Sequence, residues 1–523
     1  MADDPSVDFL LSESVKAQQS HDLARALSLA IRGSYMAPHR LDVRFQLAHI
    51  QGLMGRFEAA ITTINGLLER VPRGQKARAQ LLATRAQLQI DAGLWSSAAD
   101  SADEATTHPS RNAYADHLLG TVYSRLGQIG KAEHHVLAAA NQAPENPAYA
   151  YSLGAIRRFQ GRMIEAEAAL ERAIALAPAS GQAHLTLAGL STWTPERNHL
   201  IRLERLLTAS KHAAVERTKI HFAAHKEYHD IGDYDSAWRH LVAANQLAAL
   251  EFPWDDERDE ARLAATIRQL PADSSTNPKP ALPDAGGQTR PIFITGLPRS
   301  GSSLLERILG AHSEVQAMGE LPILESLRRG TPDAAGAAVA VAYHNEIRAL
   351  HAGKRFATDK LPLNFWNIGL IAGAMPEALV IVTNREPMPM LFSAFRMHLG
   401  AAYAWCYSLE AAARHYRRHC RLLAHWRSLM GPRLIEVSHE SLVRDPESCI
   451  HELLTQCGLD AEPACFQPHI GTAPATTASA AQVREPINDR GLNIWKPYRA
   501  HLSSLARSLV AAATDAAASA QSR

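Results

Sequence analysis

A 34-residue period runs through the N-terminal half of this chain, and it constrains the fold more than any other feature. Leu119-Gly120 recurs as Leu153-Gly154, Gly127 as Gly161, Ala132 as Ala166 and Pro144 as Pro178. A wider frame repeats a glycine followed five residues later by an alanine, at Gly55/Ala60, Gly93/Ala98, Gly127/Ala132, Gly161/Ala166 and Gly232/Ala237. Glycine suits a helix end that must adopt a positive φ, and alanine suits a position where two helix backbones approach closely. Pro38, Pro72, Pro144 and Pro178 stand where the second helix of each unit should stop. A helix pair of this size cannot bury its apolar face alone, so the pattern predicts stacked pairs in a solenoid.

These phased features resemble the tetratricopeptide-repeat family over about residues 15–250, with an irregular stretch around Trp193-Thr-Pro195. The resemblance implies a concave surface that holds an acceptor protein or peptide. The alternative is an array that only buttresses the rest of the chain or mediates dimerisation.

The chain of 523 residues is too long for one core. Its 54 Lys+Arg nearly balance 53 Asp+Glu, so the net field gives no reason to expect nucleic acid, and an anion site must be local. The acidic start Met1-Ala-Asp-Asp is no secretory signal, and no run reaches the ~18 apolar residues of a membrane span. The five cysteines lie in the C-terminal third without a C-x-x-C pair, which suits reduced thiols in a cytoplasmic protein and offers no metal site. Oligomeric state is left open.

The repeat region is expected to span 1–255 and a connector 256–290, whose part from Pro271 is rich in Pro, Gly, Ser and Asp. From 291 to 523 short apolar runs alternate with helical ones. Ile292–Thr295, Arg355–Thr358, Ala378–Thr383 and Leu434–Val437 read as strands; Leu304–Leu309, Asn364–Ala374, Met390–Leu399 and Leu409–Leu429 read as helices. The fold class is therefore an α-helical solenoid followed by a P-loop-like parallel α/β domain. A tail from about Leu502 reads as an Ala/Ser-rich helix.

The chemistry begins at Pro291–Leu309, a buried strand, a hydroxyl-rich loop bounded by Gly296 and Gly301, and a helix. Backbone N–H groups at such a helix start suit a phosphate. Ser302 occupies the place of the lysine in an NTP-binding loop, so Arg299 is the loop's cation. Three landmarks follow: Met318-Gly319-Glu320, then Thr358-Asp359-Lys360 closing a strand, then Ile381-Val-Thr-Asn-Arg385 with Ser393 eight residues on. Strand ends of an open parallel sheet share one edge, where Arg299, Lys360 and Arg385 should converge with Glu320 as the carboxylate. Taken singly, Glu320 reads as a cap or surface charge, Lys360 as a solvated lysine and Arg385 as an ion-pair partner.

This ordered set resembles the sulfotransferase superfamily over about residues 290–500, within it the protein-tyrosine sulfotransferase-like branch and its repeat-bearing bacterial relatives. Pro298-Arg-Ser-Gly-Ser-Ser-Leu304 is similar to the family's 5′-phosphosulfate loop, Arg385…Ser393 to its 3′-phosphate motif, and Ser479-Ala-Ala-Gln-Val-Arg-Glu-Pro-Ile-Asn488 to its cofactor-capping segment. The resemblance implies 3′-phosphoadenosine 5′-phosphosulfate as donor, without a metal. It implies that Ser300, Gly301, Ser302 and Ser303 cradle the 5′-phosphate, that Arg385 and Ser393 hold the 3′-phosphate, and that Gln482 and Val483 cap the nucleotide. Arg299 and Lys360 would neutralise charge in transfer, Ser479 would steady the moving group, and Glu320 would be the general base.

The sequence departs from that branch at three places. Leu321-Pro322 follows Glu320 where a second acid is usual, His439 stands for a tyrosine, and Ile494 replaces a lysine, with Lys496 nearby. Protein tyrosine is the acceptor the branch implies; a glycan, lipid or small phenol meets the same base. A P-loop kinase or NTPase and a catalytically inactive repeat scaffold are the competing readings.

Overall fold

The computed structural model describes residues 5–72, 75–108, 111–209, 213–269, 289–330, 336–348, 350–351, 353–471 and 484–509. They group into two compact units, one of Met1–Ile156 with Ser326–Pro332 and Val341–Leu350, the other of Arg157–Glu325, Asp333–Ala340 and His351–Arg523.

The repeat region is a series of helix pairs, among them Leu41–Leu53 with Phe57–Leu68, Lys76–Ala92 with Trp95–Thr106, Ala113–Arg125 with Ile129–Gln142, and Ala214–Asp230 with Tyr234–Glu251. Gly55, Gly93, Gly127, Gly161 and Gly232 all have positive φ, between 71° and 84°. The alanine five residues after each is fully buried. One further unit escaped the glycine rule: His21 takes the same turn with φ 61°, and Ala26 follows it into the core. Its amide bonding matches the others, with Asp22 N–H reaching back to the Ala17 carbonyl as Leu94 N–H reaches Gln89. Gly120 shows why the pairs need small residues. A Cβ there would stand 2.3 Å from Val136 and 3.2 Å from the Ala132 carbonyl oxygen. The irregular stretch is held by Trp193, whose backbone N–H meets Asp230 at 2.9 Å and whose indole meets the Ala188 carbonyl at 2.9 Å.

In the first unit, Ser96 N–H donates to Glu346 at 3.0 Å, so a carboxylate from a distant stretch of chain caps the helix Trp95–Thr106. That stretch, 341–350, belongs to the excursion that leaves the chain soon after Glu320.

The second unit contains a five-stranded parallel sheet in the order β2-β3-β1-β4-β5. The strands are β1 Arg290–Gly296, β2 Val315–Ala317, β3 Phe356–Lys360, β4 Leu379–Asn384 and β5 Leu434–Ser438. β1 is buried along its length because it lies centrally and is covered on both faces, which is why it reads as an unbroken apolar run. The register pairs Ile294 with Lys360 and Gly296 with Thr383, bringing the carboxyl ends of β1, β3 and β4 to one edge. β2 was not anticipated: three residues, one of them glutamine, carry no strand signal. The helices extend over Ser302–Gly310, Ile368–Ala374, Pro387–Phe395 and Leu409–Met430.

The connector expected over 256–290 needs a correction at its start, for Asp256–Gln269 is a helix. Its apolar content is slight, and ion pairs fix it instead. Arg414 and Arg418 reach Asp256 at 2.6 and 2.8 Å, and Arg418 and Arg421 reach Glu260 at 3.0 and 2.7 Å. Residues 270–288, and the tail beyond 509, lie outside the described residues.

Candidate active site

The loop after β1 is shaped by three positive-φ residues. Gly296 at φ 133° passes so close to β4 that a Cβ would lie 2.6 Å from the Thr383 carbonyl oxygen. Arg299 adopts φ 71°, a strained choice for a long side chain, and Gly301 at φ 105° opens the helix Ser302–Gly310. Ser300 is buried, its hydroxyl shared between the Leu297 carbonyl at 2.6 Å and Thr383 Oγ1 at 2.5 Å. It therefore closes the loop from beneath. Ser302 is buried and Ser303 half-buried at the helix start.

Arg299 donates from Nε to Ser393 Oγ at 3.0 Å. Arg385 donates from Nη1 to the Arg299 carbonyl at 2.8 Å and from Nη2 to the Gly491 carbonyl at 2.6 Å. The residues singled out on β4 and the following helix are thus tied directly to the loop. Two buried nitrogens beside them, Arg385 Nε and His439 Nδ1, have no hydrogen-bond partner among the described residues. Gly301 lets His439 pack directly against the loop, since a Cβ there would stand 2.6 Å from His439 Nδ1.

The electrostatics agree with this pattern of bonding. Burial, with Arg385 and Arg396 adding repulsion, pushes the Arg299 guanidinium down to about 10. Burial lowers Arg385 as well, though Glu440 and Glu386 oppose it. His439 falls to about 3, first through burial and then through Arg385 and Arg299. Cations packed together at this cost suit an anion that would offset both the repulsion and the desolvation.

At the end of β3, Lys360 is fully buried and pairs with exposed Glu320 at 2.5 Å. The Lys360 amide also donates to the Gly319 carbonyl at 2.9 Å, which ties the carboxylate's own loop to the strand. A buried carboxylate that the sequence reading missed completes this arrangement. Glu306, on the loop's helix, accepts from Gly319 N–H at 2.9 Å and Thr358 Oγ1 at 3.0 Å through one oxygen. Burial raises its pKa, and Lys360 counters part of the rise. Its only sequence signal is a charge inside the apolar run Leu304–Leu309.

Two more residues were missed. Thr383 anchors Ser300, as above. Arg396 lies one turn beyond Ser393, forms no ion pair among the described residues, and is an electrostatic neighbour of Arg299. Within Ala401–Tyr407, Trp405, Cys406 and Tyr407 are core, whereas Tyr403 stands near Glu320, and burial followed by that carboxylate pushes its phenol up. Ser479, Gln482 and Val483 lie outside the described residues; of their segment, Gly491 reaches the site through Arg385.

His439 is one of several imidazoles held neutral in this unit. Burial brings His419 and His229 to about 3 and His221 to about 4. An unfolded histidine takes a proton near ~6.5, whereas these folded ones refuse it, so the unfolded chain binds more protons below that pH. Their contribution to stability is whole above about 6.5 and drains away down to about 3–4, by up to about 1.4 kcal/mol per pH unit for each. Melting temperatures should fall steeply from about pH 6.5 to 5; a flat profile over that range would refute this.

Residues 291–463 match the sulfotransferase family and residues 147–180 match the tetratricopeptide repeat. An uncharacterized protein of Aquifex aeolicus (strain VF5) is 28% identical over 325 residues, 58% of this chain; the chain spans 42% of that relative's length. Among solved structures, the sulfotransferase domain from the Synechococcus PCC 7002 olefin synthase is 20% identical, covering 40% of this chain and 88% of that domain with a TM-score of 0.30. A thermophilic TPR protein of Thermus thermophilus is 22% identical, covering 35% of this chain and 98% of its own, with a TM-score of 0.32.

Proposed function

We propose, from a chain that joins tetratricopeptide repeats to a sulfotransferase-family domain, that this protein moves a sulfuryl group from 3′-phosphoadenosine 5′-phosphosulfate to an acceptor hydroxyl. The single observation that carries the reading is the linked trio of Arg299, Ser393 and Arg385, with Arg385 Nε and His439 Nδ1 beside a glycine and without a partner among the described residues. Those two nitrogens and the loop's backbone N–H groups fit a phosphorylated nucleotide, and the missing side chain at Gly301 lets His439 stand against the loop.

When bound, the donor supplies the sulfuryl group and an anionic leaving group. The chain's residues do the rest. The start of the helix Ser302–Gly310, with the Ser302 and Ser303 hydroxyls, takes the 5′-phosphate. Arg385 and Ser393 take the 3′-phosphate, for which a guanidinium fork is suited. Arg299 and Lys360 face the charge that develops on the bridging oxygen. Ser479 steadies the transferred group, and Gln482 and Val483 close over the nucleotide. Glu320 removes the acceptor's proton; for a phenol with a free pKa near ~10 this assistance matters. Lys360 aims that carboxylate through their ion pair, and Glu306 holds the Gly319 loop beneath it.

We read the acceptor as a hydroxyl on a protein, tyrosine first, delivered by the repeat array. We place the protein in the cytoplasm and set the transferase domain at 291–523 after the repeats of 1–255. The test is a melting experiment with adenosine 3′,5′-bisphosphate against ADP with Mg²⁺. Stabilisation follows the ligand that binds the folded state. An upward shift with the bisphosphate alone is expected; a shift with ADP and metal alone would turn the reading to an NTPase.

A further inference from the structure

The last helix pair of the repeat region, Ala214–Asp230 and Tyr234–Glu251, does more than stack on its neighbours. Phe222, Ala237, Leu241, Ala244 and Ala248 share one hydrophobic core with Leu297 of the phosphate loop and with Leu391, Phe392 and Phe395 of the helix that carries Ser393. Two of the polar contacts across this core reach the end of the helix that carries Ser393. Asn245 Nδ2 donates to the Phe395 carbonyl at 3.0 Å. Arg396 Nε donates to His225 Nε2 at 2.9 Å.

The second contact has a defined chemistry. His225 is 1% exposed, and its Nδ1 lies 2.8 Å from the Ala237 carbonyl oxygen. A carbonyl only accepts, so Nδ1 carries the proton and Nε2 is a bare acceptor. That tautomer is the one able to receive Arg396 Nε–H. Both imidazole nitrogens are therefore spent on fixing a single side chain, and a carbonyl of the second helix sets the tautomer. Arg396 has no carboxylate in ion-pair contact among the described residues, and its charge is felt at Arg299. With Nε committed to His225, Arg396 sits one turn beyond Ser393, which Arg299 holds, and Tyr498 and Asp230 are its electrostatic neighbours.

We propose that His225 is a positioning residue for donor binding, holding Arg396 so that its guanidinium adds to the anion site formed by Arg299, Ser393 and Arg385. The inference rests on the donor reading above. It makes the last helix pair a working part of the transfer site rather than a detachable adaptor. His225 touches neither donor nor acceptor; it acts through Arg396.

The test is calorimetric binding of adenosine 3′,5′-bisphosphate to the full chain and its variants. His225→Ala should weaken binding on the order of tenfold, the worth of one charge-assisted hydrogen bond. Arg396→Ala should weaken it at least as much, and the double variant should be no worse than Arg396→Ala alone. His225→Gln, whose amide oxygen can accept from Nε, should recover most of the loss. Multiplying losses in the double variant would mean His225 acts independently of Arg396 and would overturn the proposal. Should His225→Ala fail to fold, Arg396→Lys decides, because it keeps the charge but has no Nε–H. A loss on the order of tenfold supports the inference, and unchanged affinity sinks it. No binding by the unaltered chain defeats the donor reading and this inference together; tight binding by both the unaltered chain and His225→Ala defeats this inference alone.

Discussion

Arg385→Ala will remove the melting shift that adenosine 3′,5′-bisphosphate gives the unaltered chain, with affinity falling by ~10²-fold or more. Three effects act together. The fork that would grip a phosphate disappears, and with it a buried cation whose Nε has no partner among the described residues. The Arg299 carbonyl loses the 2.8 Å bond that holds the loop in its positive-φ turn. Gly491 loses the 2.6 Å bond that draws the C-terminal segment to the site. The unliganded protein should melt little lower, since removing Arg385 also relieves its repulsion with Arg299. Arg385→Lys should keep only part of the affinity, because a point charge cannot bridge two carbonyls and a phosphate. An undiminished shift in the alanine variant would take Arg385 out of the site.

Much of this arrangement was legible in the chain before any coordinates. Five of the repeat turns were readable because only glycine tolerates their φ cheaply; the turn at His21 was hidden because a histidine is forced into the same conformation. Four strands were readable as apolar runs. β2 was not, because a three-residue strand in which only Val315 is buried leaves no period. The connector reading failed at Asp256–Gln269 because that helix is held by carboxylates meeting arginines from the distant helix Leu409–Met430, which no local pattern records. The same limit hid the supporting residues. Arg299, Arg385 and Ser393 were singled out by motif order and by the resemblance it carries, whereas Glu306, Thr383 and His225 have partners that only folding brings near. Ser300, read as a phosphate ligand, has its hydroxyl bonded to Leu297 and Thr383, so its part in the loop is at least as much to shape it.

Glu320→Gln should cut label transfer from a radioactive sulfate donor to native lysate by ~10²–10⁴-fold while leaving bisphosphate affinity within about threefold. Glu320 is exposed and bonded to Lys360, not to the loop that would hold the nucleotide, so losing its charge should spare donor binding. What is lost is the proton acceptor, together with the anion that Lys360 pairs with from its buried position. Glu306→Gln separates chemistry from scaffolding. Glu306 uses a single oxygen for both Gly319 and Thr358, and a glutamine oxygen can receive the same two bonds. That variant should therefore keep transfer within a few fold of the unaltered chain, as a positioning role for a group whose charge is already disfavoured by burial requires. If Glu306→Gln abolished transfer and Glu320→Gln did not, the proton would have to leave through the buried carboxylate, and Glu320 would be reduced to a counter-ion for Lys360.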